Sequence, residues 1–202
     1  MPVVTGAREP PQLTSEELRT LARTGRVERR ERSGKRGSAF VVVETCAAPT
    51  EIWSVLVDVE SWQSKMRGVK SVTVRERYTA RAPTAATAVP PTMTQRATFH
   101  VTKLRLPANL VLAARGSAVS EDGAFEAVMN FGLDKSRTNL AVEQLDGSWR
   151  VERGATDKLT RVWLQADVGA CALVPPSALD YVADKALRRA TAWIDPHVRT
   201  LD

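Results

Sequence analysis

Apolar positions along the chain follow two different periods. From Val27 to Cys46 they read as one long strand, interrupted near 33–37 and ending in the run Phe40-Val41-Val42-Val43. Ala48-Pro49-Thr50-Glu51 then opens a helix, with proline fixing φ in the first turn and Glu51 where the helix dipole favours an acid. Ile52, Val55, Leu56 and Val59 make its i, i+3, i+4, i+7 stripe. Trp62 and Met66 belong to a second short helix, which Gly68 ends. Beyond residue 69 the period shifts to two. Strands are predicted over 69–78, 93–105, 109–119, 124–133, 139–153 and 158–169, separated by turn chemistry such as Glu121-Asp122-Gly123 and Gly154-Ala155-Thr156-Asp157. Pro175-Pro176 stop the last strand. Leu179, Val182, Ala183, Ala186, Leu187, Ala190 and Ile194 then line one face of a C-terminal helix, which at about 18 residues is about 27 Å long.

Strands in quick succession, with no strand–helix alternation, indicate an antiparallel meander. The predicted class is α+β: a curved antiparallel sheet of about seven strands around the terminal helix, with two short helices after the first strand. Residues 1–26 form a basic arm whose short helix, Glu16 to Thr24, is capped by Thr14 or Ser15 and stopped by Gly25. Residues 27–202 form the domain. Within it, 79–92 is a connector of five Ala, four Thr and three Pro with no core of its own.

Alternation also assigns faces. Phe125, Ala127, Met129 and Phe131 share one side of their strand, as do Val162, Leu164, Ala166 and Val168 of the last. Trp149 and Val151 point the same way, and Ala97, Phe99 and Val101 are the inward choice in 93–105. Trp163 falls on the opposite face, where an exposed indole is a candidate partner anchor unless the arm or the sheet's twist covers it.

Composition narrows the field. With 202 residues and 43% hydrophobic content, one ordinary core can form. No apolar run approaches the 18 or so residues of a membrane-spanning helix. Cys46 and Cys171 are too far apart in sequence to make a disulfide framework, and they read as inert thiols at strand ends. With only His100 and His197 in addition, and no CxxC or HExxH, no metal site is expected. Neither histidine has a carboxylate in its motif: His100 points outward by parity, and His197 follows Pro196 near the C-terminus. No catalytic pair is assigned.

The net charge of +6 is unevenly placed. Residues 1–38 carry nine basic and five acidic side chains, +4, and residues 65–81 carry six against Glu76, +5, so the remainder is −3. That is a weak footprint for nucleic acid. Lys65, Arg67, Lys70, Arg75 and Arg77 are instead candidates for contact with an anionic membrane surface or an acidic protein partner; a merely solvated basic face fits the same pattern.

One stretch, Ala48-Pro49-Thr50-Glu51-Ile52-Trp53-Ser54-Val55-Leu56-Val57-Asp58-Val59-Glu60-Ser61-Trp62, followed by Met66-Arg67-Gly68-Val69-Lys70-Ser71-Val72, carries a family resemblance. So do Asp146-Gly147-Ser148-Trp149-Arg150-Val151-Glu152, Thr160-Arg161-Val162-Trp163 and Ala190-Thr191-Ala192-Trp193. In this order the motifs resemble the START / polyketide-cyclase-like (SRPBCC) superfamily over roughly 27–195, near its coenzyme-Q-binding and lipid-transport branch in photosynthetic organisms. The resemblance implies the helix-grip fold, with a hydrophobic cavity between sheet and terminal helix gated by the two short helices. The residues assigned to that cavity are Trp62, Met66, Phe99, Val101, Phe125, Met129, Phe131, Trp149, Val151, Leu164, Leu179, Ala183 and Leu187. The alternative for each is that it simply fills a core.

The expected function is binding, and with it transport, of a lipid, isoprenoid, quinone or pigment, without a cofactor and without catalysis. Two alternatives stand beside it: a polyketide-cyclase-type enzyme, which needs polar groups converging inside the cavity, and an interaction or assembly subunit of a membrane-associated complex. The expected location is intracellular, soluble or peripheral to a membrane. The resemblance points to a plastid, with mitochondrion and cytoplasm left open.

Overall fold

The computed structural model describes residues 9–79, 92–101, 106–115, 125–137, 142–171 and 186–197. The connector at 79–92, apart from its two end residues, lies outside them, as do Leu179 and Ala183.

In α1, Ser15–Thr24, the Thr14 hydroxyl accepts the Glu17 N–H at 3.2 Å while the Glu17 carboxylate accepts the Thr14 N–H at 2.7 Å, a reciprocal cap. Gly25 then turns the chain at φ 66°. β1, Arg26–Ser33, and β2, Arg36–Thr45, pair as a hairpin. Here the structure corrects the single long strand: the break near 33–37 is a tight turn in which Gly34 takes φ 59°. One strand becomes two, so the sheet has eight.

After β2 come α2, Pro49–Val57, a 3₁₀ turn, Val59–Ser61, and α3, Trp62–Lys65. β3, Val69–Thr79, β4, Thr92–Val101, β5, Leu106–Arg115, β6, Glu126–Leu133, β7, Val142–Arg153, and β8, Thr160–Ala170, follow. All eight strands pair antiparallel in one curved, unclosed sheet, in the order β1-β2-β8-β7-β6-β5-β4-β3. Only the step from β2 to β3 is non-local. The helices between them therefore carry the chain from one side of the sheet to its far edge.

Residues 186–190 are helical, and Leu187 and Ile194 are buried against the sheet. The main core joins them to Val41 and Val43 of β2, Ile52 and Leu56 of α2, Trp62 and Met66, and the inner residues of β4 to β8. Gly147 makes this packing possible. It pairs with Phe131 across β6 and β7, and a Cβ there would overlap the Phe131 ring and the Gln165 carbonyl. A second, smaller cluster lies on the opposite face of the sheet: Leu21 of α1 with Val27, Phe40, Val42 and Trp163, with Leu13 against them.

Candidate functional site

The concave wall is built by period-two strands that put an apolar side chain inward at every second position. Trp62, Met66, Phe99, Met129, Phe131, Trp149, Val151, Leu164 and Leu187 all belong to one buried cluster, with Phe125 packed on its margin. Val101 is placed in β4 by its backbone. Three aromatic rings meet at the centre. Trp62 lies 5.5 Å from Phe99 and 6.3 Å from Trp149, centroid to centroid. The Trp62 indole N–H donates to the Val55 carbonyl at 3.0 Å, so α2 fixes the ring that α3 presents.

Buried polar side chains around this wall are spent on backbone. The Gln95 amide donates to the Val57 carbonyl at 2.9 Å, the Thr160 hydroxyl to Ala47 at 2.7 Å and the Thr191 hydroxyl to Leu187 at 2.8 Å. Trp193 differs. Packed against the core from the C-terminal segment, it has a buried indole N–H with no acceptor among the described residues. Its position was legible in the Ala190–Trp193 motif, but the orphaned N–H was not.

The edge strand β1 grips the C-terminal segment through polar contacts. The Arg26 guanidinium donates to the Thr191 hydroxyl at 2.6 Å, and Arg188 and Arg30 each pair with Glu28 at 2.8 Å. Burial raises the Glu28 carboxyl, but the hydrogen bond from Arg188 and the charges of Arg30, Arg188 and Arg26 outweigh it and leave it below the ordinary value.

The structure divides the basic segment. Lys65, Arg67 and Lys70 are exposed where α3 runs into β3. The Cβ position of Gly68 lies 3.7 Å from the Arg189 side chain, so this stretch meets the C-terminal helix. Arg75 is drawn onto a buried partner, which corrects its assignment as a surface contact, while Arg77 stays exposed. Arg77 reaches the Glu60 carboxylate at 3.7 Å and the Gln95 side-chain Oε1 at 3.3 Å. Arg75 donates to Asp134 at 2.9 Å on the outer face, and Arg96 pairs with the other oxygen at 3.1 Å. The Asp134 side chain is only 2% exposed. Burial raises its carboxyl, but hydrogen bonds from the Ser136 hydroxyl, Arg75 and the Ser136 N–H, with the charge of Arg96, hold it down at about 2. Around this network lies an open polar cleft of about 600 Å³ lined by Arg75, Glu76, Arg96, Asn109, Ser136 and Arg137.

Trp163 is also corrected. Parity places it on the outer face, as expected, but it is 5% exposed because the arm docks over it. Its indole N–H donates to Glu152 at 2.8 Å, and its ring lies 6.0 Å from Phe40. It is no surface anchor. Cys46 and His197, read as unrelated bland residues, are brought together: Sγ lies 3.3 Å from Nδ1.

No group of three or more His, Cys, Asp or Glu that could hold a metal occurs among the described residues, and no helix among them is long and apolar enough to cross a membrane.

Residues 45–192 match the model of a family described as polyketide cyclase / dehydrase and lipid transport. No curated protein matches the chain. Among solved structures it is similar to the Zhui aromatase/cyclase from Streptomyces sp. R1128, at 14% identity and TM-score 0.50 over 83% of this chain and 88% of that one. It is also similar to a STAR-related lipid transfer protein fragment from Xanthomonas axonopodis, at 13% identity and TM-score 0.49 over 82% and 92%. A START superfamily protein from Mycobacterium smegmatis gives 13% identity and TM-score 0.48 over 77% and 92%. At 14% identity the first likeness shows a common fold and nothing of activity.

Proposed function

The chain belongs to the polyketide cyclase / dehydrase and lipid transport family, and on that premise we propose that it binds and carries a hydrophobic small molecule between the concave sheet and the C-terminal helix. The observation that carries this reading is an aromatic and aliphatic wall with Trp193 packed against it, whose buried Nε1 has no acceptor among the described residues. Leaving such an N–H without an acceptor costs about 1–3 kcal/mol. A ligand oxygen placed there recovers that cost, so the favoured ligand is a lipid, isoprenoid, quinone or pigment that carries a carbonyl or hydroxyl oxygen.

The family's description covers both ring-forming chemistry and lipid carriage. Support for the second comes from the interior itself, where, among the described residues, Gln95, Thr160 and Thr191 already bond backbone carbonyls and do not converge as an acid and base. Lys65, Arg67 and Lys70, exposed beside the short helices, are placed to meet anionic lipid head groups while a ligand enters or leaves.

Titration with a hydrophobic quinone, read by quenching of the buried indoles, tests the reading. Saturable quenching is expected, and Trp193→Phe is expected to weaken the quinone roughly tenfold while leaving a hydrocarbon of the same shape unaffected. Quenching that never saturates, or equal quinone affinity in the variant, would contradict it.

A further inference from the structure

Cys46 sits between the end of β2 and the start of α2, and it is exposed. His197 reaches it from 151 positions away. The histidine is held there by its backbone. Its N–H donates to the Glu44 carbonyl at 2.6 Å, and its carbonyl and amide lie so close to Gly25 that a Cβ on that glycine would overlap them. Gly25 itself takes φ 66° at the end of α1. Three segments therefore converge to set an imidazole beside an accessible thiol, Sγ to Nδ1 3.3 Å. A nucleophile within hydrogen-bond reach of a base, with the base positioned by a third element, is the arrangement that activates thiols.

We infer that Cys46 and His197 form a reactive thiol–imidazole pair that adds to soft carbon electrophiles of the α,β-unsaturated carbonyl class. In the tautomer with the proton on Nε2, Nδ1 takes the S–H proton. The thiolate then forms a C–S bond at the β-carbon, and the C=C electron pair moves to give the enolate. The imidazolium returns the proton to the α-carbon. The addition is complete without a leaving group, an oxidant or a reductant.

The charged groups nearest in the chain are accounted for. Glu44, two residues before Cys46, is buried with its carboxylate on Arg161, at 2.6 and 3.1 Å, and on the Ala155 N–H at 3.0 Å. Glu51 of α2 bonds the Ala48 N–H at 3.2 Å. Asp195, two residues before His197, is exposed. The activating base is thus the imidazole. This inference stands apart from the interior ligand site, since it concerns an exposed thiol at the end of the sheet.

N-ethylmaleimide, itself an unsaturated imide of this class, is the probe. The full chain is labelled for short times between pH 6 and 9, and each cysteine is read by peptide mass spectrometry. An ordinary thiol is only about 3% ionised at pH 7. Cys46 is expected to label roughly fivefold or more faster in the wild type than in His197→Ala. Cys171 is expected to react alike in both proteins. Equal Cys46 rates in the two proteins would overturn the inference. Should Cys171 also speed up in the variant, the two thiols of the wild type decide. At pH 7 a Cys46 rate well above that of Cys171 supports the pair, and a rate no higher refutes it.

Discussion

Trp62 meets Trp149 edge to face, their ring centroids 6.3 Å apart and their planes at 63°. The contact joins the short helix α3 to the seventh strand, so the element proposed to gate the interior is anchored to the middle of the sheet by aromatic packing. Trp62→Ala removes a buried ring and is expected to cost about 3–5 kcal/mol in denaturant unfolding. Trp62→Phe keeps most of the volume but loses the bond to Val55, and is expected to cost less than the alanine variant. Equal losses in the two variants would show that the hydrogen bond, not the packing, holds α3.

The arm covers the outer face through Leu21, which is 2% exposed. Leu21→Ala is expected to destabilise by about 2–4 kcal/mol and to shift indole emission to the red as Trp163 meets water. Pairing it with Trp163→Phe identifies the reporting ring, since the red shift should vanish in the double variant.

Asp134 gives a pH dependence with a defined sign. Its folded value is about 2 against an ordinary 3.8, so its stabilisation is present above about pH 4 and is lost as the pH falls through 2. The difference in unfolding free energy between the wild type and Asp134→Asn should be roughly 2 kcal/mol at pH 5 and shrink towards pH 2. A difference that is flat across this window would mean that Arg75 and Arg96 do not hold the carboxylate.

Reversing the exposed charges at Lys65, Arg67 and Lys70 to Glu is expected to abolish co-sedimentation with phosphatidylserine vesicles at low salt. Reversing Arg75 should instead lower stability, because its partner is the buried Asp134. Unchanged sedimentation of the triple variant would remove the membrane role of this stretch.

The sheet was readable wherever one face is buried, because period two then writes itself into the sequence: Ala127, Met129 and Phe131 in β6 and Val162 and Leu164 in β8 are buried as their alternation requires. The reciprocal cap at Thr14 and Glu17 was half visible, as a choice between Thr14 and Ser15 for the capping residue. What escaped were relationships set by docking. Trp163 shows its face but not the arm that covers it. Arg75 shows a charge but not Asp134, which lies 59 positions on. Cys46 and His197 carry no local signal at all, because only the paths of β2 and the C-terminal segment bring them together. The Gly34 turn was mistaken for a flaw in one strand because a two-residue hairpin leaves the apolar pattern on either side intact.

Organic extraction of the purified full chain, followed by mass spectrometry of the extract, tests most directly whether the interior holds a hydrophobic ligand. One oxygen-bearing hydrophobic compound in near-equal ratio to the protein, reduced in Trp193→Phe, is the predicted result. An extract empty of such compounds, together with no saturable binding of added quinone or lipid, would mean that the aromatic wall is only a filled core.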